Sequence, residues 1–291
     1  MTEQAVQFQS HQGAFSQTLV GIVTPASGST GLLIVVGGPQ YRVGSHRQFV
    51  KMCRAAAAQN IPAFRFDVAG MGDSSGEPTP FYQQATDIHA AINEFFKQQP
   101  QLISVVLWGL CDGASAILLA LRQRPDPRVS GLVLLNPWVR QQHSYAQTLV
   151  KHYYLKRFTQ KEFWKKLLSG KFDLIGSCKS LLDNLRQSTK QQVDEPILSQ
   201  TTEQNYVSHM QQSWQQFLRS DGKVLVITSG NDLTAKEFLE LTAADPQWQQ
   251  LLQRSEHQQL EEANHTFSTA LWREQVEHFT TQFIERMTNQ S

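Results

Sequence analysis

Residues 109–113 read Gly109-Leu110-Cys111-Asp112-Gly113, a cysteine with glycine two positions away on either side. The preceding stretch, Ser104-Val105-Val106-Leu107-Trp108, is apolar and rich in valine, and the stretch from Ala114 onward is apolar with good helix formers. A strand that turns sharply into a helix strains the residue at the turn, and the neighbours two positions away must be nearly free of side chain. Gly109 and Gly113 meet that demand. At such a turn Cys111 stands at a helix N-terminus, where the macrodipole favours a thiolate, and cysteine is a better nucleophile than serine at neutral pH. The N–H of Asp112 then points toward an oxyanion developing on an attacked carbonyl. The competing reading is a small buried cysteine packed as a hydrophobe. The paired glycines and the strand and helix around them favour the chemical reading.

A nucleophile of this kind needs a base, and the base needs an orienting group. On this strand–turn–helix arrangement the acid follows the nucleophile in the chain, and the histidine follows the acid. Of nine histidines, His257, His265 and His278 come after the last strong strand signal. His257 opens a further strand pattern and His278 lies inside the final helix pattern. His265 falls between them, in Glu261-Glu262-Ala263-Asn264-His265-Thr266-Phe267-Ser268, and is the candidate base. For the acid, Val224-Leu225-Val226-Ile227-Thr228 leads into Ser229-Gly230-Asn231-Asp232-Leu233, which places Asp232 just past a strand. The alternative location, Leu135-Asn136-Pro137-Trp138, offers no carboxylate. Asp232 also reads as the N-cap of the following helix.

A second oxyanion donor is expected from the turn Gly37-Gly38-Pro39-Gln40-Tyr41-Arg42, after the apolar run 32–36. Pro39 has no N–H, so Gly38 or Gln40 must supply it, with Gly38 preferred because adjacent glycines let backbone approach a substrate closely. The loop from Asp67 to Gly76 carries Gly70, Gly72 and Gly76, but its spacing is not that of a dinucleotide cradle and Pro78 and Pro80 follow. It reads as a structural loop beside the site.

These residues must be positioned by a larger frame. Strand patterns fall at 18–24, 32–36, 63–67, 104–108, 129–135, 224–228 and 258–262, and helical patterns at 46–59, 82–98, 114–123, 234–241 and 268–288. Several strands are nearly continuous apolar runs, as suits a parallel sheet covered on both faces. The alternation predicts an α/β doubly wound sheet, with the stretch before residue 31 as its antiparallel edge. From 140 to 222 the rhythm stops for 83 residues, too long for a plain loop. This segment reads as an inserted helical lid, with helices near 145–157, 161–168, 180–190 and 203–219, and a core made of 1–139 and 223–291. The lid holds 12 Lys+Arg against 7 Asp+Glu and the core is net acidic; 151–190 alone has 10 against 3. That face is suited to an anionic partner such as a coenzyme A or acyl-carrier thioester, although a solvated helix surface is the more ordinary explanation.

Composition sets outer limits. The chain has 291 residues, 40% of them hydrophobic, and a formal net charge of +1. Disorder is excluded by the apolar content and a nucleic-acid binder driven by gross charge is disfavoured. No apolar run approaches the roughly 18 residues of a membrane span. The polar first 16 residues lack the pattern of a secretory signal. Three scattered cysteines, Cys53, Cys111 and Cys178, form neither a disulfide framework nor a metal-ligand spacing. The expectation is a cytoplasmic enzyme without metal or cofactor.

The whole pattern resembles an α/β-hydrolase with a helical cap, of the serine-aminopeptidase-like branch. The segment Val36-Gly37-Gly38-Pro39-Gln40-Tyr41-Arg42-Val43-Gly44-Ser45-His46-Arg47-Gln48-Phe49 is more narrowly similar to the exosortase-A-system-associated hydrolase, type one. The same holds for Gly109-Leu110-Cys111-Asp112-Gly113 and Ser229-Gly230-Asn231-Asp232-Leu233-Thr234. In that family the elbow nucleophile is likewise a cysteine, as it is in dienelactone hydrolase. The resemblance implies a bacterial gene neighbourhood of exopolysaccharide export and protein sorting, with acyl-carrier and acyl-ligase genes nearby. It names no substrate. Hydrolysis of an ester or thioester, acyl transfer by the same residues, and a non-catalytic scaffold that kept the fold remain the three readings.

Overall fold

The structure, a computed structural model, describes residues 2–12, 15–140 and 197–289. The chain divides into two units, one of 1–140 with 207–291 and one of 141–206. The first unit is built on an eight-stranded sheet. In chain order its strands are β1 (Gln4–Gln12), β2 (Phe15–Thr24), β3 (Thr30–Val35), β4 (Ala63–Phe66), β5 (Ser104–Leu110), β6 (Val129–Leu135), β7 (Lys223–Ser229) and β8 (Glu256–Leu260). The helices are α1 (Gln48–Ala58), α2 (Ala85–Gln98), α3 (Asp112–Gln123), α4 (Ile197–Arg219), α5 (Leu233–Ala244), α6 (Pro246–Gln253) and α7 (Ala270–Asn289). The spatial order is β1-β2-β4-β3-β5-β6-β7-β8. β1 and β2 pair antiparallel, β2 meets β4 antiparallel, and every later neighbour is parallel.

The apolar runs explain the middle of the sheet. All six residues of β3 are buried, as are nearly all of β5, β6 and β7, because helices cover both faces. α1 buries Phe49, Met52, Cys53 and Ala56, spaced three and four apart, against Leu32, Ile34, Val106 and Trp108. α7 adds Val276, Phe283 and Ile284 to the same core. α2 buries Ile88, Ala91, Ile92 and Phe95 and packs on α3. In the C-terminal half of α4, Trp214 stacks on Phe238 of α5 at 6.3 Å and meets Trp248 of α6 edge-on at 5.8 Å.

Two elements depart from the sequence reading. The antiparallel edge expected before residue 31 is present, but it includes the polar segment 4–12, not among the expected strands, which is β1 and pairs along its length with β2. Its alternation is real, since Phe8 and Ser10 are buried while Gln7 and Gln9 face outward, but one inward position is a serine that donates to the Asp87 carboxylate. The eight-residue α6 was not anticipated; Asp245 caps it by accepting from Gln247 N at 2.8 Å, and proline stands in its first turn. Of the expected lid helices, the one at 203–219 falls within α4, and the others lie outside the described residues. So do Cys178 and the basic stretch 151–190. Among the described residues no helix is long and apolar enough to cross a membrane.

Candidate active site

The turn between β5 and α3 is built as the glycine spacing requires. Cys111 has φ 60° and ψ −124°, a conformation that costs a non-glycine residue about 1–3 kcal/mol and persists only when the surroundings impose it. The surroundings are tight. A Cβ on Gly109 would stand 2.6 Å from Ala114 N, and one on Gly113 would stand 2.7 Å from Val35 O of β3. Hydrogen bonds fasten the turn to the end of β6: Cys111 N donates to Leu135 O at 2.8 Å, and Trp138 N donates to Cys111 O at 3.3 Å. Ser115 Oγ donates to Trp138 O at 2.7 Å.

The structure brings Asp232 and His265 together. His265 Nδ1 lies 2.9 Å from Asp232 Oδ2. An ionised carboxylate only accepts, so Nδ1 carries the proton and Nε2 is left as the acceptor. The same Oδ2 accepts from Ala235 N at 3.0 Å, so Asp232 is the N-cap of α5 as well as the partner of His265. The two loops are laced together behind this pair. Gly230 N donates to Leu260 O at 2.9 Å, and Asn231 N donates to Ala263 O at 2.9 Å. A Cβ on Gly230 would lie 2.0 Å from Glu261 O.

Asn136 was passed over in the sequence because only a carboxylate was sought there. It is fully buried at the end of β6, with φ 42°. Its Oδ1 accepts from Ser229 N at 2.9 Å, and its Nδ2 donates to Ser229 Oγ at 2.8 Å and to His265 O at 3.2 Å. One amide thus ties the end of β7 to the loop that carries His265. The signal that pointed to it was its place: the first polar residue past an apolar strand, on the edge that carries Cys111 and Asp232.

Electrostatics correct one expectation. The helix N-terminus does not make Cys111 a thiolate. Burial above all, and then the Asp112 charge, push its thiol up to about 12, against the opposing hydrogen bond from the Asp112 N–H. Thiol alkylation by iodoacetamide at Cys111, read as the difference from Cys111→Ala, is therefore expected to keep rising through pH 10. A plateau near pH 8 would show a thiolate poised at rest.

The turn after β3 is braced from outside. Gly38 has φ 60°, which favours glycine. Arg42 N donates to Asp67 Oδ1 at 2.6 Å, and its guanidinium is paired with both Asp67 and Asp73. Asp67 is fully buried and also accepts from Asp73 N at 3.0 Å. The glycine-bearing loop after β4 is accordingly structural, as its sequence suggested. Ser74 Oγ donates to Asp67 O at 2.7 Å and accepts from Val20 N at 2.9 Å. Gln40 turns its side chain to Ser45, whose N–H donates to Oε1 at 3.2 Å. Gly38 N lies beside the Asp112 carboxyl, which burial raises in pKa and which the N–H groups of Gly38, Asp112 and Gly113 pull the other way. No group of three or more metal-ligating side chains occurs among the described residues.

Comparison with known proteins agrees with this architecture. An esterase of Pyrococcus furiosus superposes with a TM-score of 0.63 at 12% identity, over 99% of this chain and 91% of its own. A thermophilic esterase from Thermogutta terrifontis gives 0.57 at 15% identity, over 98% and 99%. An α/β hydrolase from a Penicillium species gives 0.57 at 18% identity, over 99% of each chain. No curated protein sequence matches the chain. The family model described as serine aminopeptidase, S33, matches residues 33–261, from within β3 to just past β8 and so through Cys111 and Asp232. That match covers most of the chain, and with the sheet order and the elbow it leads to one conclusion: the chain belongs to the serine aminopeptidase, S33, family and has the α/β-hydrolase fold.

Proposed function

We propose that this protein hydrolyses an ester or thioester through a covalent acyl-enzyme formed on Cys111. The observation that carries the reading is the 2.9 Å bond between His265 Nδ1 and Asp232 Oδ2, which leaves Nε2 free as a base. It belongs to the same sheet edge as the strained Cys111, and the esterases among the structural neighbours accord with an ester substrate. His265 Nε2 takes the thiol proton as Cys111 Sγ bonds to the carbonyl carbon, and the π electrons move to oxygen. The N–H of Asp112, with that of Gly38 or Gln40, receives the oxyanion. The carbonyl re-forms, the bond to the leaving alkoxide or thiolate breaks, and His265 returns the proton to it. Water, activated by the same imidazole, then releases the acid. Asp232 stabilises the imidazolium that forms between these steps.

A thioester carried by coenzyme A or an acyl carrier is the finer substrate class. It is supported by the basic stretch 151–190 and by the resemblance to the exosortase-associated hydrolases. A reducing cytoplasmic compartment suits a nucleophilic thiol. The test is intact-mass spectrometry after brief incubation with a short-chain nitrophenyl ester. The expected result is a transient acyl adduct on the wild type that is absent from Cys111→Ala. No adduct, with nitrophenol release no faster than the mutant's, would remove the covalent reading.

A further inference from the structure

We propose that Asp112 is itself a catalytic residue, its neutral carboxylic acid donating a hydrogen bond to the oxyanion and its carboxylate form closing that place. The inference deepens the proposed function and rests on the Cys111 nucleophile. It starts from where the side chain lies. A Cβ on Gly37 would stand 2.2 Å from Asp112 Oδ1, and one on Gly38 would stand 3.8 Å from it. The carboxyl therefore fills the space that the absent side chains of the oxyanion turn leave open. It sits beside the N–H groups of Gly38 and Asp112, the donors assigned to the oxyanion. Yet Oδ1 is buried without a well-aligned hydrogen-bond partner among the described residues.

A buried carboxylate oxygen without a partner is costly, and a second negative oxygen beside it more so. An ionised Asp112 competes for the very N–H groups the reaction needs and repels the charge they are meant to hold. Protonated, the same group has an O–H to offer, and burial moves its ionisation upward, toward that form, against the N–H groups of Gly38, Asp112 and Gly113. The attack step then balances as before. The thiol proton goes to His265, the C–S bond forms, and the carbonyl π pair becomes the oxyanion, which accepts from the Asp112 O–H without taking its proton.

Among the described residues, the charged and titratable groups around Asp112 are few. Cys111 adjoins it on the turn, and His265 faces it from the loop after β8. Asp232 and, after β6, Arg140 act on the adjoining Cys111; Arg140 is paired with Glu237 at 3.0 Å. Arg42, on the oxyanion turn, is committed to Asp67 and Asp73.

The experiment is the pH profile of kcat/KM for a short-chain nitrophenyl ester in wild type, Asp112→Asn and Asp112→Ala. The wild type is expected to lose activity tenfold per pH unit above the ionisation of Asp112. Asn, whose amide donates at every pH, should hold its plateau and overtake the wild type at least tenfold on the alkaline side. Ala, with no donor, should lose the alkaline limb and also lower the plateau by about a hundredfold. The same alkaline limb in all three proteins, or a uniform loss in both variants with an unchanged profile, would overturn the assignment. Loss confined to cationic substrates would also overturn it, making Asp112 a substrate-binding carboxylate. An acyl adduct abolished by Cys111→Ala alongside an unchanged limb in Asp112→Asn rejects only the Asp112 role. An adduct that survives Cys111→Ala rejects the nucleophile beneath it.

Discussion

Asp232→Asn is expected to lower kcat for a nitrophenyl ester by about a thousandfold while leaving the fold nearly as stable as before. The asymmetry comes from the two bonds that meet at Oδ2. Asparagine is as good an N-cap as aspartate, so the acceptor for Ala235 N survives and α5 keeps its first turn. What disappears is the negative charge against His265 Nδ1, which both fixes the tautomer and stabilises the imidazolium. Asp232→Ala removes both functions: the same loss of rate, with roughly 1 kcal/mol of cap energy added to it. Steady-state kinetics and thermal unfolding of the two variants separate the roles. A fall in kcat below tenfold in Asp232→Asn would mean that the carboxylate is only a cap.

The largest stability effect is expected outside the reacting atoms. Arg42→Met leaves Asp67, which is fully buried, without its counter-charge, and the cost of an uncompensated buried carboxylate is about 3–5 kcal/mol. For a domain of this size that corresponds to a thermal midpoint lower by roughly 6–20 °C. Asp67→Asn in the same chain removes the stranded charge, so the double variant should be more stable than the sum of the two single losses, and a thermal-unfolding double-mutant cycle reads the difference. Strict additivity would show that the pair does not interact. Because Arg42 ends the turn that holds Gly38, acyl transfer in Arg42→Met should fall even at temperatures where the protein is folded.

The legible and illegible parts of this molecule divide along a physical line. Cys111, Gly109 and Gly113 were readable because steric crowding at a strand–helix turn demands glycine at fixed spacing, a local requirement. The Asp232 and His265 assignments followed from chain order and from loops at strand ends, and the structure joins them at 2.9 Å. The parallel core strands announced themselves as apolar runs. β1 did not, because one of its inward residues, Ser10, is satisfied by Asp87, 77 residues away in the chain. Asn136 was hidden for the same reason, its three hydrogen bonds reaching Ser229 and His265. The expected thiolate failed because the helix dipole is a local term, whereas the burial that overrides it is set by the assembled fold. The direction of the Asp112 side chain depends on how turns far apart in sequence approach, which spacing alone does not encode.

The protonated state of Cys111 has a consequence beyond acyl transfer. Peroxide and low-molecular-weight disulfides react with sulfur as the thiolate, and the rate of damage follows the fraction present in that form. A thiol pushed up to about 12 has almost none at rest. Oxidants therefore meet an unreactive sulfur, and in the mechanism proposed above the nucleophile becomes available only when His265 accepts its proton with a carbonyl in place. On that proposal, burial that slows the first step serves as chemical protection, letting a cysteine stand where an activated thiolate would be steadily lost to sulfenic acid.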